Sequence, residues 1–345
     1  MLIAKSELSQ IIVDFTVQEK AITHPTDSKL LGTARAKLVE TAKAHGIELK
    51  QTYAKEGQLL GYKAGRYAHA RQYKRMRKVI QRQRTIAGRL QREVGRKMSV
   101  LEMSALGLAV QETLGHTLSQ AQRLISQTAS KKSPGKQAKL YSWHAPEVEC
   151  IAKGKSRTPY EFGVKVGIAT TLQGNLIVGA RTFPGNPYDR HTLNEQLEQA
   201  SILMQATGMK PLTVYVDLGY RAVDQANPGI DIKHRGEFKS LTEQEKKMLK
   251  RRQAIEQIIG HLKADHRMNR CHLQGADGDS LLAVLCAAGY NIRWLLRMVV
   301  KKGLSLFLRL LQAAGLTDFT DLQRKLRGIF TVNPNKSGFM KWVMG

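Results

Sequence analysis

The sequence has few cysteines, and the three it contains, Cys150, Cys271 and Cys286, stand far apart. None has the close cysteine or histidine neighbours of a zinc site, and three isolated thiols form no disulfide framework, which favours a reducing compartment. Long apolar runs are also missing. The longest, LLAVLCAAGY at 281–290, is too short to span a bilayer and predicts a core helix instead. Charged residues in the first 20 positions exclude a signal peptide.

Acidic residues are scarce. The 345 residues include 28 Asp and Glu against 55 Lys and Arg, a net charge of +27. This imbalance predicts a polyanionic partner, most commonly nucleic acid, with an anionic membrane surface as the competing partner. A hydrophobic content of 42% is enough for a sizeable core. The length allows two or three domains, or one α/β domain with a large insertion.

The most basic stretch runs from Lys63 to Lys97, with 13 Lys and Arg and a single acidic residue, Glu93. Its apolar positions recur every four residues from Ile86 onwards, so the spacing predicts a long amphipathic helix, preceded by a connector over 57–65. A merely solvated face would normally carry balancing Glu residues, so their shortage favours phosphate contacts. The residues predicted to bind DNA here are Lys74, Arg75, Arg77, Lys78 and Arg82.

Carboxylates accompany two predicted strands. Asp14 interrupts the apolar run SQIIVDFTVQ (9–18), where a charge is costly unless it is paired, lies at an edge or binds a cation. Asp217 ends the alternating strand in LTVYVDLGYR (212–221), and open α/β sheets bind ligands at the carboxyl ends of their strands. The alternative for Asp217 is a simple turn cap.

A third carboxylate lies on a helix predicted over 240–263. Arg252, Glu256 and Lys263 share one face of it, with Glu256 at the edge of an apolar stripe. Surface ion pairing is the alternative explanation. Three converging carboxylates can hold two Mg²⁺ ions, which activate a water or a 3′-hydroxyl and stabilise the leaving oxygen of an in-line phosphoryl displacement.

Between these segments the sequence predicts a hairpin over 161–171 and 175–183 and a helix over 193–208. Without the helical block the order is β-β-β-α-β-α, the ribonuclease-H-like order. The predicted fold class is therefore α/β, with a ribonuclease-H-like mixed sheet and a large helical insertion after the first strand. The predicted domains are the first strand of the core (1–24), the basic insertion (25–135), the remainder of the core (136–300) and a C-terminal helical tail (301–345), which includes a helix at 304–316.

The segment KRRQAIEQIIGHLKADHRMNR (250–270) resembles the C-terminal signature of DDE insertion-sequence transposases. That signature has Tyr, two residues, Arg, three residues, Glu, six residues and Lys. Arg252, Glu256 and Lys263 match it, whereas Leu249 takes the Tyr position. VDLGYR is similar to the family's second-Asp segment. Three further segments resemble one group of the insertion-sequence-five family: 13–31 (its first-Asp segment), 144–155 and 161–166.

This resemblance implies a transposase that cleaves DNA at element ends and transfers strands. Asp14, Asp217 and Glu256 would be the catalytic metal ligands for two Mg²⁺ ions, with Mn²⁺ as a substitute. Arg252 and Lys263 would contact the DNA end. The implied partners are terminal inverted repeats, target DNA and further copies of the chain, in the cytoplasm at the nucleoid and not at a membrane. Other candidates for the first ligand stay open, namely Glu147, Glu149 and Asp189.

Relatives of this kind carry a helical region ahead of the first strand, and here the strand comes almost at once. The expectation is a chain that lacks this region. A second function is therefore a catalytically impaired remnant that binds DNA or inhibits a longer relative. A third is a host nuclease of the same fold.

Overall fold

The computed structural model describes residues 5–98, 105–129, 139–154, 158–220, 227, 229–234, 236 and 241–313. The fold is mixed α/β, and the chain forms two compact units. The first unit combines residues 1–18, 165–271 and 278–345, and the second combines 19–164 and 272–277. The domain boundaries inferred from the sequence stay predictions.

Six strands form one mixed sheet. They are β1 (Gln10–Glu19), β2 (Glu149–Ala152), β3 (Tyr160–Thr171), β4 (Ile177–Phe183), β5 (Thr213–Tyr215) and β6 (Asp231–Lys233). Their order is β2-β3-β1-β5-β6, with β4 also paired to β3. The predicted hairpin is confirmed, because β3 and β4 pair antiparallel. β5 is parallel to both β1 and β6 and is shorter than predicted, so Asp217 lies just beyond it.

The core of the first unit lies where α5 (Leu193–Met204) covers the sheet. Leu193, Leu197, Ala200 and Met204 recur at three- and four-residue spacing and are buried. They pack with alternate residues of the two central strands, including Ile11, Val13, Val214 and Val216. The apolar residues at a period of 3.6 on the helix and of 2 on the strands thus form the core that supports Asp14 and Asp217.

The described part of the second unit includes the helices α1 (Asp27–Ala44), α2 (Ala54–His69), α3 (Tyr73–Met98) and α4 (Ala105–Ala129). The side chain of Thr26 caps α1 by accepting a hydrogen bond from the backbone N–H of Lys29. The prediction of a connector over 57–65 is wrong, since this stretch lies inside α2. Buried Leu60 and Ala64 anchor α2 in the helical core, and this packing outweighs the low helix propensity of its glycines. The basic helix accordingly begins at Tyr73.

The helix predicted over 240–263 is two helices, α6 (Glu243–Arg251) and α7 (Ala254–Ala264). Thr242 and Glu245 form a capping box at the start of α6. The last helix, α8 (Gly275–Ala313), runs without a break through the start of the separate helix predicted at 304–316; residues 314–316 lie outside the described residues.

Most of the predicted core segment 281–290 of α8 is not buried. Its buried side includes Ala283 and Cys286, whereas Leu281 and Leu285 are more than half exposed. Of the residues that the structure describes, the stretch Gly275–Lys301 is long and apolar enough to cross a membrane by length and composition alone. Core helices of soluble proteins can have the same length and composition, so this property alone does not show that the helix crosses a membrane.

Gly167 in β3 allows a close approach of neighbouring side chains. A Cβ there would clash with Gln196 Oε1 and would stand 2.8 Å from a ring carbon of Phe15. We expect Gly167→Ala to lower the free energy of unfolding of the first unit by about 1–3 kcal/mol through overpacking. Gly260→Ala on α7 is the control, because a Cβ there meets open space.

Urea denaturation, with hydrogen exchange assigning the transition to the first unit, measures both variants. Gly260→Ala should be neutral or stabilise by up to about 1 kcal/mol. Equal effects of the two variants would contradict the tight packing around Gly167.

Candidate active site

The parallel pairing of β1 and β5 brings Asp14 and Asp217 together. Ile12 lies opposite Tyr215 in the register, so the two aspartates, each two residues further along, occupy matching positions. Asp14 is partly buried, and its Oδ1 accepts a hydrogen bond from the backbone N–H of Phe15 at 2.8 Å. The Asp217 side chain is 53% exposed. Both carboxylates therefore stand on the central strands of the first unit, one inside the sheet and one at its rim.

Arg252 lies between the two aspartates. It follows the last residue of α6, and its guanidinium contacts Asp14 Oδ2 at 3.2 Å and Asp217 Oδ1 at 3.6 Å. Only 7% of its side chain is exposed. The neighbouring Arg251 instead donates to the backbone carbonyls of Leu172 and Gln173. The break between α6 and α7 thus directs one arginine into the site, whereas the sequence predicted Arg252 as a DNA contact on a continuous helix face.

Glu256 lies in the first turn of α7 and is exposed. Burial is the main cause that raises the pKa of the Asp14 carboxyl above its usual 3.8, and the charges of Asp217 and Glu256 raise it further. The Phe15 N–H and the Arg252 guanidinium oppose this rise in pKa. All three predicted carboxylates therefore lie within electrostatic reach of one another.

Tyr220 is a site residue that sequence reasoning missed. Its ring is buried and stacks on Phe15 with centroids 5.6 Å apart. Burial raises the pKa of its hydroxyl well above 10, with further contributions from Asp14, Asp189 and Asp217. Its hydroxyl has no hydrogen-bond partner among the described residues. The sequence feature that could have identified Tyr220 is its position, three residues after Asp217 in the turn that follows β5.

The alternatives for the first carboxylate differ in their surroundings. Asp189 borders the site, since a Cβ on Gly219 would stand 2.8 Å from its Oδ2, and it forms an ion pair with Lys165. Glu147 belongs to the second unit, where it pairs with Lys20 at 2.7 Å, and Glu149 lies in β2. The structure thus brings Asp14 directly beside Asp217, which favours it as the first carboxylate.

The predicted DNA-binding residues of the basic stretch lie on α3 in the second unit. Lys74, Arg75, Arg77 and Lys78 are exposed. Arg82 instead forms a two-point ion pair with Glu56, at 2.7 and 3.1 Å. Lys263 is partly exposed near the end of α7. A phosphate backbone could therefore contact four of these five α3 side chains without breaking an ion pair.

The donor chemistry of the site suits a hard divalent cation, because Asp14, Asp217 and Glu256 supply only carboxylate oxygens. Across the described part of the chain, however, no three His, Cys, Asp or Glu side chains cluster tightly enough to hold a metal ion. The positive charge between the aspartates is that of Arg252. The three carboxylates are therefore suitable metal ligands by residue type, and the Arg252 guanidinium occupies the space between Asp14 and Asp217.

One comparison with known proteins indicates a class of protein. Residues 126–292 match the family model described as "Transposase DDE domain", which supports a DDE transposase. The matched segment includes Asp217 and Glu256, whereas Asp14 lies outside it. A Rhizobium meliloti protein described as "Uncharacterized protein ORF8 in nfe locus" is 53% identical over 66 residues. That alignment covers 19% of this chain and 32% of the relative, so the chain spans about a third of its length. No solved structure matches.

The raised pKa of Asp14 predicts a pH dependence of stability. Above 3.8, the folded state retains a proton that the unfolded chain has lost. Relative to Asp14→Asn, the wild type should therefore lose free energy of unfolding as the pH rises from 3.8 through the folded pKa. The measurement is the difference between the two urea-unfolding free energies at a series of pH values.

Glu245→Gln provides a control of opposite sign. Hydrogen bonds from Thr242, backbone first, lower the pKa of Glu245 to about 2. The wild type should therefore lose its advantage over Glu245→Gln as the pH falls below 4.5 towards 2. A wild-type advantage over Asp14→Asn that grows with pH is the result that would overturn the assigned environment of Asp14.

Proposed function

We propose that the protein is a DNA transposase that cleaves DNA at element ends and joins the new 3′-hydroxyl to target DNA, using Mg²⁺ or Mn²⁺. The observation that carries this proposal is the register of β1 and β5, which puts Asp14 beside Asp217 within electrostatic reach of Glu256. The match of residues 126–292 to the transposase DDE domain supports the same reaction class. Terminal inverted repeats and target DNA are the proposed substrates.

The strand arrangement supports a ribonuclease-H-like fold for the catalytic core. Leaving out β2, the strand order is β4-β3-β1-β5-β6, with the antiparallel hairpin on one side of β1 and parallel strands on the other. The hydrogen bond from Leu172 N–H to Gln10 O joins the end of β3 to the start of β1. This is the order expected when the helical block is an insertion after the first strand.

Asp14, Asp217 and Glu256 would hold the metal ions through carboxylate oxygens. Bound divalent ions lower the pKa of a nucleophilic water or hydroxyl and neutralise charge on the phosphoryl group. Asp14 is fixed by the β1 backbone and by the Phe15 N–H, so its Oδ2 has a defined direction. Arg252 and Lys263 supply cations for the phosphates of the DNA end. The site thus places negative ligands at the centre and positive side chains beside them.

Replacing the carboxylates tests the mechanism. We expect Asp14→Asn, Asp217→Asn and Glu256→Gln each to lower Mg²⁺-dependent cleavage and strand transfer on inverted-repeat DNA by at least about a hundredfold, because loss of a metal ligand costs several kcal/mol of transition-state stabilisation. Glu243→Gln is the control, since this exposed carboxylate on α6 pairs with Lys246 and lies outside the proposed set.

Wild-type activity in Asp217→Asn and Glu256→Gln would reject the mechanism. An active Asp14→Asn combined with an inactive Glu147→Gln would transfer the first-ligand role to the second unit. Activity that is indifferent to the inverted repeats would point to a nuclease of the same fold.

The basic face of α3 is proposed as the principal DNA-backbone contact. Lys74 and Lys78 are one helical turn apart and both exposed. Counterion release makes such binding salt-dependent. Because two element ends must be held together, an assembly of several copies is part of the proposal. A cytoplasmic location at the nucleoid follows from DNA as the partner.

A double variant measures the contribution of α3. We expect Lys74→Ala with Lys78→Ala to weaken DNA binding and to lower the slope of log affinity against log salt by about 2, since each lost phosphate contact removes about 0.9. The matched control is Lys29→Ala with Lys43→Ala, two exposed lysines of α1. An equal slope change in both double variants would show that only net charge matters.

One observation favours the second candidate, a DNA-binding protein without cleavage activity. The Arg252 guanidinium already contacts both aspartates and offsets one of their two negative charges. This candidate predicts salt-sensitive DNA binding without Mg²⁺-dependent cleavage, and cleavage by the purified protein excludes it.

A further inference from the structure

Both oxygens of Asp14 have partners in this structure. Oδ1 accepts from the Phe15 backbone N–H at 2.8 Å, and Oδ2 accepts from Arg252 Nη1 at 3.2 Å. The first bond comes from the backbone of the strand that carries Asp14, so Oδ2 is the oxygen whose partner, Arg252, can be exchanged for another ligand. Arg252 also reaches Asp217 Oδ1 at 3.6 Å. A divalent cation shared by Asp14 and Asp217 would therefore have to replace the guanidinium.

Two positive charges cannot share this position at low cost. The Arg252 side chain is 93% buried, so water screens it poorly from any neighbouring cation. Without a cation between them the two carboxylates would repel each other, because both carry negative charge and both lie within 3.6 Å of the same guanidinium. Arg252 and a bound metal ion are therefore mutually exclusive neighbours of Asp14 Oδ2.

The helix break at Arg252 lets its guanidinium exchange the aspartates for another partner. Arg252 ends α6 with helical backbone angles (φ −48°, ψ −34°), and α7 begins two residues later at Ala254. A rotation of the long Arg252 side chain therefore leaves β1, β5 and both helices in place. Released from the aspartates, a guanidinium binds a phosphate with two parallel hydrogen bonds.

We propose that Arg252 is the resident counter-ion of the site: it excludes divalent cations from Asp14 and Asp217 until a DNA phosphate draws its guanidinium away. This inference rests on the proposed function. DNA binding and metal binding then reinforce each other, because each stabilises the state in which Arg252 has left the aspartates. When no DNA is bound, the Arg252 contact with the aspartates therefore keeps metal ions out of the site. Arg252 is a positioning residue that decides when the catalytic carboxylates become available.

Metal affinity measures this competition directly. If Arg252 leaves the aspartates in about one molecule in ten, the apparent affinity for metal is about tenfold weaker than that of the open site. Mn²⁺ binding to the full chain is followed by electron paramagnetic resonance of the free ion. Arg252→Met keeps the length of the side chain without its charge. Arg251→Met is the control, because Arg251 contacts only backbone carbonyls in this structure and lies next to Arg252.

We expect Arg252→Met to bind Mn²⁺ at least about tenfold more tightly than the wild type without DNA, and Arg251→Met to bind it as the wild type does. A short DNA duplex should tighten Mn²⁺ binding by the wild type but not by Arg252→Met. Arg252→Lys, which retains the charge, should stay within a few-fold of the wild type. Equal or weaker Mn²⁺ binding by a folded Arg252→Met overturns the inference.

The proposed function and this inference fail differently. If neither the wild type nor Arg252→Met binds Mn²⁺, even with DNA, the metal-dependent function itself is wrong. If both bind it equally, only the role of Arg252 is wrong. Should Arg252→Met not fold, the side-chain Nε–H resonance of Arg252, identified by its loss in Arg252→Lys, gives a second readout in the wild type. It should shift on addition of Mg²⁺ with DNA, and an unchanged resonance contradicts the exchange.

Discussion

The contact of the buried Arg252 guanidinium with Asp14 and Asp217 is the interaction on which the candidate site of the first unit depends. Burial alone makes ionised Asp14 unfavourable, and the neighbouring carboxylates add to that cost. The Phe15 N–H and the Arg252 guanidinium offset part of this cost. Removing one partner from such a group is usually expensive, because the remaining charges stay buried. The break between α6 and α7 is the structural feature that brings this cation into place.

Opposite charges are separated along a chain whose net charge is +27. Asp14 and Asp217 lie on or just beyond the central strands of the first unit, and the exposed cations of α3 belong to the second unit. An acidic centre repels a polyanion, so the proposed cleavage of DNA needs cations both at the site and on a separate binding surface. Arg252 can serve both the acidic site and the DNA, because a guanidinium can bind either a carboxylate or a phosphate.

Local patterns predicted what depends on local sequence. An apolar run was enough for β1, alternating apolar residues for the hairpin and three- and four-residue apolar spacing for α5, and the abrupt end of the 212–217 run marked Asp217 as a strand-end carboxylate. Tertiary packing decided the rest. Glycines in 57–65 indicate a connector, yet burial of Leu60 and Ala64 makes it helical. The continuous period of 240–263 hides a break, since no Gly or Pro marks Arg252. The burial of Arg252 and Tyr220 follows from strand pairing, which periodicity does not contain.

Anomalous diffraction from crystals of the complex with DNA and Mn²⁺ would show directly whether a metal ion or Arg252 lies beside Asp14. We expect an anomalous peak within about 2.5 Å of carboxylate oxygens of Asp14 and Asp217, with the Arg252 guanidinium turned from Asp14 to a DNA phosphate. A peak confined to other carboxylates, or a fully occupied metal beside an Arg252 that still contacts Asp14 Oδ2, would contradict it.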